Sequence, residues 1–161
     1  FCELILNIQY AVADTDILAV KSGLRQALQA QDVDKIVEQF KIIYSSVPYV
    51  HFDSNKTEHF YFAVLLMCLQ ASGFDASPER LSNKGRLDLS LQYKHQHQDK
   101  QQQQIYIFEL KTATPQKAIE QIIEKNYAGA YGNYQVTLVG LQIDFAERNI
   151  VSHQSTPGLE S

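Results

Sequence analysis

Ile105-Tyr106-Ile107-Phe108-Glu109-Leu110-Lys111 is the stretch on which the fold turns. From Ile105 to Leu110 it is apolar on both faces, as expected of a central strand covered on both sides. It closes on Glu109 and Lys111, two apart and therefore on one face with Ile105 and Ile107. Upstream, Leu87, Leu89, Leu91 and Tyr93 alternate with Asp88, Ser90 and Gln92, the repeat of a half-buried strand. The segment between, from Lys94 to Lys100 and through the glutamines that follow, is too polar and too long for a tight turn and reads as an exposed hairpin loop. Downstream, Thr114 caps a helix with Pro115 in its first turn and Ala118, Ile119, Ile122, Ile123 and Tyr127 on its apolar side. Gln135 to Phe145 reads as a further strand, with Arg148 to Ser152 a short partner joined through Ala146 and Glu147. A strand, a helix and a second strand in this order form a crossover, which implies parallel pairing of the two strands.

The N-terminal part is helical. Asp16 to Gln31 and Asp32 to Tyr44 carry apolar residues at helical spacing, with Val33, Ile36, Val37, Phe40 and Tyr44 in the second and Asp32 as its N-cap. Pro48 and the polar run Asp53 to Thr57 break the chain, and a third helix starts near Glu58, runs through Phe60–Leu69 and stops at Gly73. The expected class is α/β, a mixed sheet flanked by helices. Residues 1–45 form a helical region packed on a core at 46–153, and 154–161 form a polar, frayed tail.

Composition narrows the alternatives. The chain has 161 residues, 45% hydrophobic and 20% charged, with seven Gly and four Pro, which excludes disorder, collagen and a coiled coil. A domain of this size buries roughly two-thirds of its unfolded surface and needs no staple to fold. Cys2 and Cys68 are far apart, and Cys68 lies in an apolar run, so both read as reduced thiols of an intracellular protein. No stretch reaches the roughly eighteen apolar residues of a membrane span. The start at Phe1-Cys2-Glu3 suggests a domain of something longer. Net charge is −4, but it is uneven: residues 1–79 sum to −5, residues 80–125 to +3 and residues 126–161 to −2. A phosphate backbone could be met by the middle segment even though the average disfavours a polyanion.

Asp88 would come alongside Glu109 if the two upstream strands form a hairpin. Two carboxylates brought together repel unless one holds a proton or a divalent cation neutralises both, and oxygen ligands of this kind suit Mg²⁺ or Mn²⁺.

Gly85-Arg86-Leu87-Asp88, then Ile105 to Lys111, then Ala118-Ile119-Glu120-Gln121-Ile122 with Lys125 and Tyr127, resemble the PD-(D/E)XK nuclease superfamily. The branch that follows an AAA-type ATPase domain in bacterial proteins is the most similar. Glu58 with Tyr61, Glu79 and Val139-Gly140-Leu141 join the match, which covers roughly residues 45–151. The resemblance implies a restriction-endonuclease-like α-β-β-β-α-β core with extra N-terminal helices, Ser77–Leu81 supplying its first strand. It implies that Asp88 and Glu109 hold Mg²⁺ or Mn²⁺ with the carbonyl of Leu110, that Lys111 positions or activates the attacking water, that Glu58 serves a second metal or water, and that Gln121 orients a ligand or phosphate. Arg86 and Lys84 are the candidates for phosphate contacts. The expected activity is metal-dependent hydrolysis of phosphodiester bonds in DNA, with RNA as the other substrate class. The setting is a larger protein such as an effector or toxin acting inside a cell or delivered into another, for which an inhibitor or immunity partner is physically reasonable. The proline of the family name is absent, Leu87 standing before Asp88.

Plainer readings exist for each residue. Glu109 and Lys111 could be an exposed edge-strand ion pair, worth roughly 0–1 kcal/mol. Glu58 could be a first-turn carboxylate favoured by the helix dipole, Gln121 an ordinary solvated residue, and Glu79 a solvated carboxylate as readily as a ligand. His95 and His97 lack further ligands at a fixed spacing and read as solvent-exposed, and Tyr127 and Tyr131 read as packing residues. The rival function is a catalytically silent nuclease fold that binds nucleic acid or a protein partner.

Overall fold

The computed structural model describes residues 17–54, 56–78, 88–94, 103–124, 131–132 and 134–158. Helices α1 (Ile17–Gln29) and α2 (Val33–Ser46) open the described chain. Asp32 caps α2 by accepting from the Lys35 backbone N–H at 3.1 Å, and that hydrogen bond holds its carboxyl below the usual aspartate range. A short helix α3 (Tyr49–Ser54) stands where a break was expected after Pro48. Proline at a helix start forfeits no intrahelical bond, and its carbonyl accepts from His51 N–H at 3.1 Å.

Helix α4 (Glu58–Ala71) begins at Thr57, whose hydroxyl accepts from Phe60 N–H. It ends as expected at Gly73, whose φ of +81° favours glycine. Gly73 N–H donates to Gln70 C=O and Phe74 N–H to Leu69 C=O, so the last carbonyls of α4 are satisfied.

The sheet contains β1 (Asp75–Pro78), β2 (Asp88–Lys94), β3 (Gln103–Lys111), β4 (Tyr134–Asp144) and β5 (Asn149–Pro157), with α5 (Pro115–Glu124) between β3 and β4. The strands lie in sequence order; β3 and β4 pair in parallel and the other neighbours antiparallel. From α4 onward this is the α-β-β-β-α-β order, with β5 added at the edge. It is an α/β mixed sheet flanked by helices, consistent with a restriction-endonuclease-like fold.

Four expectations shift. The first strand sits at Asp75–Pro78, ahead of the expected Ser77–Leu81, of which residues 79–81 lie outside the described chain. Ile123 is 43% exposed, because α5 rests on the sheet through Ala118, Ile119 and Ile122. Strand β5 continues through Gln154–Pro157, where a frayed tail was expected. Its pairing runs to Thr137↔Pro157, and Gly158 N–H donates to Val136 C=O at 2.8 Å; ladder bonds are made by the backbone whatever the side chains. Finally, β2 is buried on both faces at its start, Asp88 and Ser90 included, so the half-buried reading fails there.

Strand alternation splits the interior in two. On one face Leu89, Leu91, Tyr106, Phe108, Leu110, Val139 and Leu141 join a large cluster with Leu24, Leu28, Ile36, Phe40, Tyr61, Val64 and Leu65 from α1, α2 and α4. On the other, Ile105, Ile107 and Leu138 form a small cluster with Ile122 of α5. No described helix is long and apolar enough to cross a membrane.

Candidate active site

The small-core face changes character toward the C-terminal end of β3. Antiparallel pairing sets Asp88 directly opposite Glu109, and the parallel partner of Glu109 on β4 is Gly140. Asp88 is 1% exposed and Glu109 is fully buried. The two carboxylates therefore lie on neighbouring strands, on one face, out of bulk water.

Glycine at 140 has a steric cause. A Cβ there would lie 2.3 Å from the Pro115 carbonyl oxygen and 3.0 Å from Ala118 Cβ, so the first turn of α5 rests on the bare backbone beside Glu109. Thr114, the expected cap, accepts from Ala118 N–H at 3.3 Å through its carbonyl.

Lys111 closes the strand and joins two elements. Its Nζ is 3.5 Å from Glu109 Oε1 and 3.6 Å from Glu58 Oε2. Glu58 is the first residue of α4, aimed at the end of β3 by the helix start that Thr57 caps. Its Oε1 accepts from Thr112 N–H at 2.7 Å and from the Thr112 hydroxyl at 3.1 Å. Thr112 was missed in the sequence; the only signal was a hydroxyl residue directly after Glu-x-Lys.

The structure thus brings together Asp88, Glu109, Lys111 and Glu58. Gln121 is half-buried on α5, beside the Ala118 and Ile122 that touch the sheet, and its side chain makes no hydrogen bond among the described residues. Arg86, Lys84 and Glu79, and with them Lys125, Tyr127, His95 and His97, lie outside the described residues. Tyr61, one turn beyond Glu58, is packed in the large core against Phe145 at 5.7 Å, and burial pushes its phenol up to about 12. Cys68 is a core thiol whose burial pushes it up to about 11, which makes it a poor nucleophile. Tyr131 packs edge-on against Tyr134 at 5.8 Å.

The donor set suits a hard divalent cation. Three carboxylates meet one ammonium in this group, and the most deeply buried two face each other across β2 and β3. Desolvated like charges are costly, and a cation bound between Asp88 and Glu109 would offset that cost. Among the described residues no three His, Cys, Asp or Glu side chains gather as a cage, so such an ion would take its remaining ligands from backbone oxygen and water.

The profile of the PD-(D/E)XK nuclease superfamily matches residues 56–153, a span from the start of α4 into β5 that includes Asp88, Glu109 and Lys111. The chain belongs to the PD-(D/E)XK nuclease superfamily. Neither the curated proteins nor the solved structures gave a match.

Proposed function

We propose that this chain is a divalent-metal-dependent nuclease that hydrolyses phosphodiester bonds in DNA. The observation that carries the reading is the pairing of buried Asp88 and Glu109 with Lys111 Nζ 3.5 Å from Glu109. A buried carboxylate pair is expensive for a purely structural domain and useful for one that binds Mg²⁺ or Mn²⁺.

Asp88 and Glu109, with the Leu110 carbonyl, would hold the ion. When bound, the metal acts as a Lewis acid on the phosphate and lowers the pKa of a coordinated water. Lys111, part-exposed at the strand end, presents its ammonium to the water and to the negative charge that develops on the phosphate. Gln121 on α5 orients the phosphate or water, and Arg86 and Lys84 steer the nucleic-acid backbone. We place the chain within a larger protein, in the branch associated with AAA-type ATPases or in an effector or toxin.

The test is incubation of the 161-residue chain with plasmid, linear DNA and RNA in Mg²⁺, Mn²⁺ or chelator, beside Asp88→Ala and Lys111→Ala. Cleavage should require the metal and fall by about a hundredfold or more in either variant. Cleavage indifferent to both substitutions overturns the site. Absence of cleavage on every substrate points instead to a silent nuclease fold that binds nucleic acid or protein.

A further inference from the structure

The bonds made by Glu58 disagree with a simple ligand role. We infer that Glu58 and Thr112 form a clamp that positions Lys111, so that Glu58 acts on the reaction through Lys111 and not as a metal ligand; this deepens the nuclease reading and rests on it.

Both oxygens of Glu58 are engaged by the protein's own groups. Oε1 accepts two donors from one residue, the Thr112 amide at 2.7 Å and the Thr112 hydroxyl at 3.1 Å. A charge-assisted bond from a backbone N–H at that distance is among the stronger contacts a carboxylate makes. Oε2 faces the Lys111 ammonium at 3.6 Å. A divalent ion on Oε2 would sit against that ammonium, and like charges at such separation repel.

The connectivity gives the clamp its purpose. Thr112 follows Lys111 directly, so its backbone amide fixes the peptide plane that carries the lysine out of β3. Glu58 is anchored in turn at the start of α4 by the Thr57 cap. The Lys111 ammonium is therefore held between two carboxylates on different elements, Glu109 below and Glu58 beside it. A long lysine side chain is otherwise free to sample many rotamers, and reaction rates are sensitive to displacements of about 1 Å. Thr112 bonds to Glu58 and is a positioning residue, as is Glu58.

Thr112→Val, Thr112→Ser, Glu58→Gln and Glu58→Ala separate the possibilities. Three measurements are made on each: kcat and KM on a short duplex, Mn²⁺ affinity and stoichiometry by calorimetry, and the acylation rate of Lys111 by mass spectrometry, with near-ultraviolet circular dichroism to establish the native fold. Thr112→Val sets a methyl against Oε1. It is expected to lower kcat by about three- to tenfold at constant KM and to speed Lys111 acylation, while Thr112→Ser restores both. Glu58→Gln keeps an acceptor for the Thr112 amide but drops the charge on Lys111, and should speed acylation further. In Glu58→Ala, Mn²⁺ affinity and stoichiometry stay within about twofold of the parent chain, whereas Asp88→Asn weakens binding by about tenfold or more. Loss of an Mn²⁺ site in Glu58→Ala, or unchanged Lys111 acylation in Thr112→Val, overturns the clamp. Acylation and Mn²⁺ binding are read without turnover, so a chain that cleaves nothing refutes the nuclease reading while the clamp is still decided.

Discussion

The two faces of β3 are both covered and do opposite work. On the α4 side Tyr106, Phe108 and Leu110 enter a large apolar cluster, with Phe108 edge-on to Phe40 at 5.0 Å. On the α5 side Ile105 and Ile107 enter a small cluster, and the next residue in that row is the fully buried Glu109. The first face supplies stability through apolar burial. The second spends some of it, because burying a carboxylate opposite another carboxylate opposes folding unless it is compensated. On the proposed function, stability and chemistry are carried by alternate residues of one strand, which is why changes one position apart should have contrasting effects.

The largest effect is expected at the carboxylates, and on activity alone. Asp88→Asn and Glu109→Gln should each reduce cleavage by about a hundredfold or more while the melting temperature in chelator stays level or rises, since a buried charge is removed. A marked drop in melting temperature would show that the carboxylates serve the fold, and the contrast between faces would fail. Next comes Phe108→Ala, one residue away and on the other face. It should cost about 3–5 kcal/mol in urea unfolding with little change in the rate per folded molecule. A rate loss that exceeds the loss of folded protein would show that the two faces are not separable.

Gly140→Ala sharpens the comparison because it touches the boundary. The added Cβ meets the Pro115 carbonyl oxygen at 2.3 Å, so α5 must move off the sheet next to Glu109. A loss of about 1–3 kcal/mol together with about tenfold in rate is expected, against the single-sided effects of the first two changes. Wild-type behaviour in both would mean that α5 is not held against the site.

The smallest effect is in alkali and belongs to the large core. Burial pushes Cys68 up to about 11 and Tyr61 and Tyr106 to about 12. Folded, these groups keep protons that the unfolded chain releases from about pH 9 for the thiol and about pH 10 for the phenols. Their contribution is therefore complete below pH 9 and declines as pH rises through the folded values. The urea midpoint should fall progressively above about pH 9; a constant midpoint into that range would show that these groups are not buried in the folded state.

Much of the fold was legible because it is written in periodicity. The doubly apolar run from Ile105 to Leu110 marked a central strand, the strand, helix and strand order fixed parallel pairing with β4, and Gly73 marked a helix end. Legibility failed where backbone pairing overrides side-chain composition, as in the polar end of β5, and where a helix selects one stripe of several candidates, as with Ile123. Asp88 beside Glu109 followed from hairpin pairing with the right register and was expected. The contact between Glu58 and Thr112 was not, since the two are 54 residues apart and no periodicity links them.

Chemical identity was determined by the sequence alone: two carboxylates, a lysine two residues from one of them, and a spacing that resembles one nuclease superfamily. Those features are local, and local patterns survive in a linear reading. Tertiary structure alone decided how deeply that carboxylate pair is buried, that α5 comes to rest on Gly140, and that Glu58 turns its oxygens to Thr112 and Lys111. Burial, steric fit and ion pairing depend on distances between elements remote in the chain, and those distances exist only once the sheet and its helices have packed.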